Sequence, residues 1–149
     1  SASDRENAAS TEKKVSAGLR EMSMELPVPG ILESPFGVFE SKIFSYKKQK
    51  IEEKKYTKWF DYDKIKNSPC VRTRRQGDYL TVNSEGGRKK LNRIFIDEKI
   101  PAEMRDRLPV VAAGSEILWI PGGRMNEKYK ITSTTGRVLE LHYQGGALA

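Results

Sequence analysis

From Ile31 onward, apolar and polar residues alternate with a period of two, the spacing of half-buried strands. Val38, Lys42, Phe44 and Tyr46 share one parity and Phe39, Ser41 and Ile43 the other, after a turn at Ser34-Pro35-Phe36-Gly37. A charged stretch over residues 47–55 leads to a second strand over residues 55–60, and the two are expected to pair as a hairpin with a solvated tip. Residues 61–65 predict a short capped turn. Residues 70–73 and 79–82 are β-prone, with Gln76-Gly77-Asp78 turning between them. Helical periodicity is clearest over residues 89–99, where Leu91, Ile94 and Phe95 fall at i, i+3 and i+4. Pro101 then opens a second short helix over residues 102–107, in the first-turn position that proline tolerates. Residues 108–111 and 116–120 form apolar strands joined through Gly114, and Pro121-Gly122-Gly123 is a turn. Residues 128–132 and 137–143 predict a closing hairpin around Thr134-Thr135-Gly136. Strands dominate and the helices interrupt them midway, so the fold class is α+β.

Pro27 and Pro29 mark a boundary, because proline and the residue before it resist continuing a helix. Residues 1–25 are rich in Ser, Ala and Glu. Val15, Leu19 and Met22 predict a turn or two of helix in a tail or linker from an upstream domain. The domain itself is expected over residues 26–145, with residues 146–149 a short tail. The chain lacks an initiator Met, which reads as a start inside a longer protein. Its first residues contain no apolar run of the signal-peptide kind, so a cytoplasmic location is expected. No stretch of 18 apolar residues exists to span a membrane, and no membrane partner is expected.

Charge changes the picture. The 149 residues hold 27 Lys and Arg against 20 Asp and Glu, a net charge of +7. Residues 1–25 carry four basic and five acidic side chains (net −1), so the remainder carries all the excess. Between Arg72 and Lys130 there are thirteen basic and eight acidic residues, densest in Arg72-Thr73-Arg74-Arg75 and Arg88-Lys89-Lys90-Leu91-Asn92-Arg93. Such clustering fits a polyanion, and RNA above others. Arg forks suit phosphate oxygens. On a strand, Arg72 and Arg74 share one face while Arg75 points oppositely. Gly86-Gly87 precede the expected basic helix start, where amide groups would attract phosphate and Lys89, Lys90 and Arg93 would add charge. Trp59, Phe60, Phe95 and Trp119 lie in apolar runs and are expected in the core. Tyr79 alone is placed to stack on a base, which favours recognition of a helical stem by its backbone over single-strand readout.

Catalytic constellations are missing from this pattern. The one histidine, His142, sits in an alternating strand, and the one cysteine, Cys70, reads as a small strand residue that leaves no partner for a disulfide or zinc site. Asp97-Glu98 and Asp61/Asp63 fall at helix ends and turns, where carboxylates cap or are solvated. The Gly86-Gly87-Arg88-Lys89-Lys90 segment lacks the full spacing of a nucleotide-binding P-loop.

Taken in order, Arg72-x-Arg74-Arg75-x-Gly77-Asp78, Lys89-Lys90-Leu91, Phe95-Ile96-Asp97-x-Lys99-Ile100-Pro101, Arg105-Asp106-Arg107-x-Pro109, Glu116-Ile117-Leu118-Trp119-Ile120-Pro121-Gly122 and Lys128-Tyr129-Lys130 resemble the C-terminal domain of tRNA(Ile)-lysidine synthetase. The resemblance covers residues 70–143. It implies a β-rich, sandwich-like domain with one or two short helices, related to a domain of the phenylalanyl-tRNA synthetase β subunit. It also implies a role in gripping tRNA(Ile), at its acceptor stem, while a separate N-terminal domain uses ATP and Mg to attach lysine to the wobble cytidine. That domain's Ser-Gly-Gly-x-Asp-Ser signature is absent here, so this chain alone is expected to be non-catalytic and to hold no cofactor. Arg72, Arg74, Arg75, Lys89, Lys90, Arg93, Arg124, Lys128 and Lys130 are the expected RNA contacts. The alternative reading is a protein-interaction or regulatory module whose charge meets an acidic protein partner.

Overall fold

Residues 22–52 and 54–145 are described by a computed structural model of the chain. Among them are ten strands: β1 (Ser23–Glu25), β2 (Gly30–Ser34), β3 (Gly37–Ser45), β4 (Thr57–Asp61), β5 (Cys70–Arg72), β6 (Tyr79–Thr81), β7 (Arg88–Lys90), β8 (Val110–Ala113), β9 (Glu116–Trp119) and β10 (Arg137–Gly145). Two short helices, α1 (Leu91–Asp97) and α2 (Ala102–Arg105), lie between β7 and β8. Six strands form one sheet in the order β1-β5-β8-β9-β6-β7, antiparallel except where β6 runs parallel to β9. The other sheet has the order β2-β3-β10-β4 and is antiparallel throughout. The α+β class and the sandwich-like packing of the sequence reading both hold. No helix among the described residues is long and apolar enough to cross a membrane.

Alternation within strands builds two cores on opposite faces of the six-stranded sheet. Val111, Ala113, Leu118 and Trp119 meet Phe39, Phe60, Leu139 and Leu141 between the sheets. Val110, Ala112, Ile117 and Leu80 meet Leu91, Ile94 and Phe95 of α1 on the other side. Being covered on both faces, β8 is apolar at every position, the pattern of a central strand. An irregularity at Val111/Ala112 makes Leu118 an extra residue on β9, so Leu118 and Trp119 both turn toward the inter-sheet core. There Phe60 and Trp119 pack edge to face, with ring centroids 6.4 Å apart.

Four expectations are corrected. β4 does not pair with β3: β10 lies between them, its nine residues matched to all nine of β3 from Arg137↔Ser45 to Gly145↔Gly37. The five-residue β4 would have left nearly half of that ladder unpaired in the middle of the sheet, an outcome backbone polar groups do not tolerate. Residues 128–132 are not a strand. Buried Asn126 donates to the Ile117 carbonyl at 2.8 Å and accepts from the Lys128 amide at 2.9 Å, which winds Glu127–Tyr129 into a 3-10 turn. Residues 23–25, placed in the tail from sequence and at the end of its possible helix, instead add β1 to the edge of the six-stranded sheet beside β5. Val15 and Leu19 of that helix lie outside the described residues. Finally, Trp59 points away from Phe60, as strand neighbours must, and is half-buried on the outer face of the four-stranded sheet. Its indole Nε1 donates to Glu140 Oε1 at 3.0 Å and its ring meets Phe44 edge-on.

Candidate nucleic-acid interface

The first of the expected phosphate contacts is inside the protein. Arg72 is 1% exposed. Its Nη1 and Nη2 donate to Asp78 Oδ2 and Oδ1, each at 2.8 Å, and also to the Thr73 and Gly114 carbonyls at 3.0 and 2.9 Å. Burial alone would depress the guanidinium, but the bonds to Asp78 and its charge outweigh that and hold the pKa above its ordinary value. Asp78 Oδ2 also accepts from the Arg75 amide at 2.7 Å. A turn closes from the Arg75 carbonyl to the Asp78 amide, with Gly77 at φ +91° in the position that needs a left-handed residue. Arg72 therefore fixes the loop that displays Arg74 and Arg75, and makes no contact outside the protein.

The remaining candidates divide by partner. Arg74 is spoken for, with Nε donating to Asp106 at 2.9 Å and Nη1 to Asn92 Oδ1 at 2.9 Å. Lys89 and Arg93 both pair with Asp97, whose carboxyl is held below its usual value chiefly by the Lys89 bond. Lys130 pairs with Glu127 at 2.8 Å and Lys128 with Glu116 at 3.8 Å. Arg75 and Lys90 are exposed and have no carboxylate partner among the described residues.

Lys89 and Lys90 do not open a helix, which corrects the phosphate-cradling reading of Gly86-Gly87. Arg88–Lys90 is strand β7, and α1 begins at Leu91, whose amide donates to the Asp78 carbonyl. Alternation then sends Lys89 toward α1 and leaves Arg88 and Lys90 together on the opposite face. Gly87 serves the loop instead: Asn83 Oδ1 accepts from its amide at 2.9 Å, and a Cβ there would lie 2.5 Å from Asn83 Nδ2.

On the Arg88/Lys90 face a basic group does assemble, around Tyr79. Lys90 is the register partner of Tyr79, and the Arg88 guanidinium lies 4.6 Å from the centroid of its ring. Arg124 reaches the end of the same strand, donating to the Val82 carbonyl at 3.1 Å. Lys128 approaches from the 3-10 turn through Glu116, the partner of Tyr79 on β9. Glu116 is mostly covered and accepts a hydrogen bond from the Tyr129 hydroxyl. Burial first, and then Glu116, push the Tyr129 pKa above its ordinary value. Arg88 was not among the contacts expected from sequence; it shares a face with Lys90 because residues 88–90 form a strand and not a helix start. With the Arg88 guanidinium over its ring, Tyr79 is part of a cationic surface.

The family model for the TilS substrate C-terminal domain matches residues 70–141. The solved crystal structure of a TilS C-terminal domain superposes with a TM-score of 0.69 at 34% sequence identity, over 83% of this chain and 96% of that one. The chain belongs to the TilS C-terminal domain family. Curated relatives named tRNA(Ile)-lysidine synthase include one from Caldanaerobacter subterraneus subsp. tengcongensis, 50% identical over 59% of this chain and 19% of that protein. Another, from Clostridium tetani, is 41% identical over 60% of this chain and 19% of its own length. The chain thus spans about a fifth of the length of the curated relatives it matches. In this TilS C-terminal domain, Arg75, Arg88, Lys90, Arg124 and Lys128 form the candidate interface.

Proposed function

We propose that this chain is the tRNA-binding C-terminal domain of a cytoplasmic tRNA(Ile)-lysidine synthase, and that it holds the acceptor stem of tRNA(Ile) through phosphates. The chemistry of the wobble cytidine, with ATP and Mg, belongs in this reading to an N-terminal domain of the same protein. One observation carries it: Arg88, Lys90, Arg124 and Lys128 gather around Tyr79, while the acids nearest them are covered or already engaged. Five cations including Arg75 suit a regular duplex backbone, which offers phosphates at fixed spacing. Glu127, Asp97 and Asp106 neutralise Lys130, Lys89, Arg93 and Arg74, and Glu116 at 3.8 Å partly neutralises Lys128, so these residues contribute less than Arg75, Arg88, Lys90 and Arg124.

Titration of tRNA with the wild-type protein and an Arg88→Ala/Lys90→Ala variant at three salt concentrations tests the reading. Each lost phosphate contact lowers the log–log salt slope by about 0.7 to 0.9, so the variant is expected to bind more weakly and with a slope reduced by nearly two. Equal binding by both proteins at every salt would remove this face from the interface. Binding to acidic proteins but to no RNA would replace RNA with a protein partner.

A further inference from the structure

One end of the sandwich opens into a cavity of about 650 Å³ that the phosphate-binding face does not use. Its apolar wall comes from Phe36, Leu108 and Pro109, with the rings of Tyr56 and Tyr143 beside them. Its charged lining residues are Lys55 and Arg107, with no carboxylate among the described ones. Both cations are exposed, and Arg107 has no ion-pair partner among the described residues. Gly122 closes one side at φ +80°, and a Cβ on it would stand 3.0 Å from Tyr56 Cε1. The backbone is thus shaped to let the Tyr56 ring lie against it; the Lys55 ammonium lies 5.4 Å from the ring centroid, and 45% of Tyr56 stays exposed. The volume falls in the range of small-ligand pockets, about 300–1,000 Å³.

Apolar and aromatic walls with cations at the rim, and no acid, select a flat ring that carries negative charge. A nucleotide has that chemistry: its base stacks on an aromatic face and its phosphate takes Lys or Arg. The cavity also adjoins the basic face. The turn from Ile120 to Arg124 contributes Pro121 and Gly122 to the cavity, and its last residue, Arg124, reaches the Val82 carbonyl at the end of β6. A stem lying along β6 and β7 would bring its end toward this opening. We infer that the cavity receives an unpaired nucleotide at the end of the bound RNA stem, with Tyr56 stacking on the base and Lys55 and Arg107 holding its phosphates. This rests on the RNA-binding reading above, and extends it from duplex backbone to a single-stranded end.

Two RNA hairpins with the same stem separate the two readings, one blunt and one carrying a four-nucleotide 3′ overhang, each titrated by fluorescence anisotropy. The overhang is expected to tighten binding about tenfold, the scale of stacking one or two bases on an aromatic side chain. Tyr56→Ala and Arg107→Ala are each expected to remove most of that gain and to leave the blunt hairpin unaffected. Both replace exposed side chains, and the bond from the Tyr143 amide to the Tyr56 carbonyl is made by backbone, so it survives substitution. Equal affinity for the two hairpins overturns the cavity assignment and leaves the stem-binding reading standing. A gain lost in Arg107→Ala but intact in Tyr56→Ala overturns it too, because extra phosphates alone would then explain the overhang. Failure of both hairpins to bind overturns both readings together.

Discussion

Arg72 and Asp78 meet as a two-pronged pair, each guanidinium Nη on its own carboxylate oxygen at 2.8 Å, with both side chains 2% exposed. A pair so thoroughly removed from water is costly to break and leaves an uncompensated charge when one partner goes. Asp78→Ala is expected to lower unfolding free energy by roughly 3–5 kcal/mol, read from urea denaturation. In the Arg72→Met/Asp78→Leu double variant the losses should fall well short of the sum of the single ones, since neither charge is then stranded. Additive losses would mean that the two residues act independently.

Leu91 is 1% exposed between α1 and the six-stranded sheet, whereas Ile96 on the same helix is 49% exposed. Leu91→Ala is expected to cost about 2–5 kcal/mol. Ile96→Ala should stay within about 0.5 kcal/mol, the scale of surface changes. Thermal melts of the two variants side by side measure the contrast.

Adjacent lysines should differ in RNA binding. Lys90→Ala is expected to lower the salt slope by nearly one contact, because Lys90 is exposed and has no carboxylate partner among the described residues. Lys89→Ala should change it less, since Asp97 already neutralises Lys89. Asp97→Asn should strengthen binding by freeing Lys89 and Arg93. Anisotropy titrations at several salt concentrations read all three, and equal effects of the two lysine variants would contradict the face assignment.

Tyr129 and Tyr143 both have pKa values raised above the usual value near 10, each first by burial; Glu116 adds to the shift at Tyr129 and Tyr56 at Tyr143. A raised folded-state pKa means that the neutral form is favoured on folding. Their contribution to stability is therefore complete below the unfolded pKa and is lost as pH rises through the folded one. Ultraviolet titration of the folded protein should show the Tyr129 and Tyr143 phenols still protonated above the ordinary tyrosine range, with their absorbance change coinciding with unfolding. Ionisation of Tyr129 and Tyr143 near pH 10, with the fold intact, would be the contrary result.

What the sequence made legible was whatever depends on near neighbours. The 3.6-residue spacing of Leu91, Ile94 and Phe95 gave α1 and its buried face, and Gly114 between two apolar runs gave the β8–β9 hairpin. The partner of β4 was hidden, because the choice rests on matching nine residues of β10 to β3 across more than ninety positions of chain. Arg72 was misplaced for a related reason. Its basic neighbours advertise a surface, and only the folded loop brings Asp78 back onto it. Arg88 was overlooked because its face depends on whether residues 88–90 are strand or helix, and the pattern there fitted a helix start.

Because β10 lies in the middle of its sheet with β3 on one side and β4 on the other, β4 has no ladder partner and β3 has only β2 until residues 137–145 exist. On a ribosome, a nascent domain of this design holds Phe39, Phe60 and the inner faces of two unjoined strands open until nearly the whole domain has emerged. A chain cut short before Leu139 would leave the facing edges of β3 and β4 exposed, a hazard for aggregation.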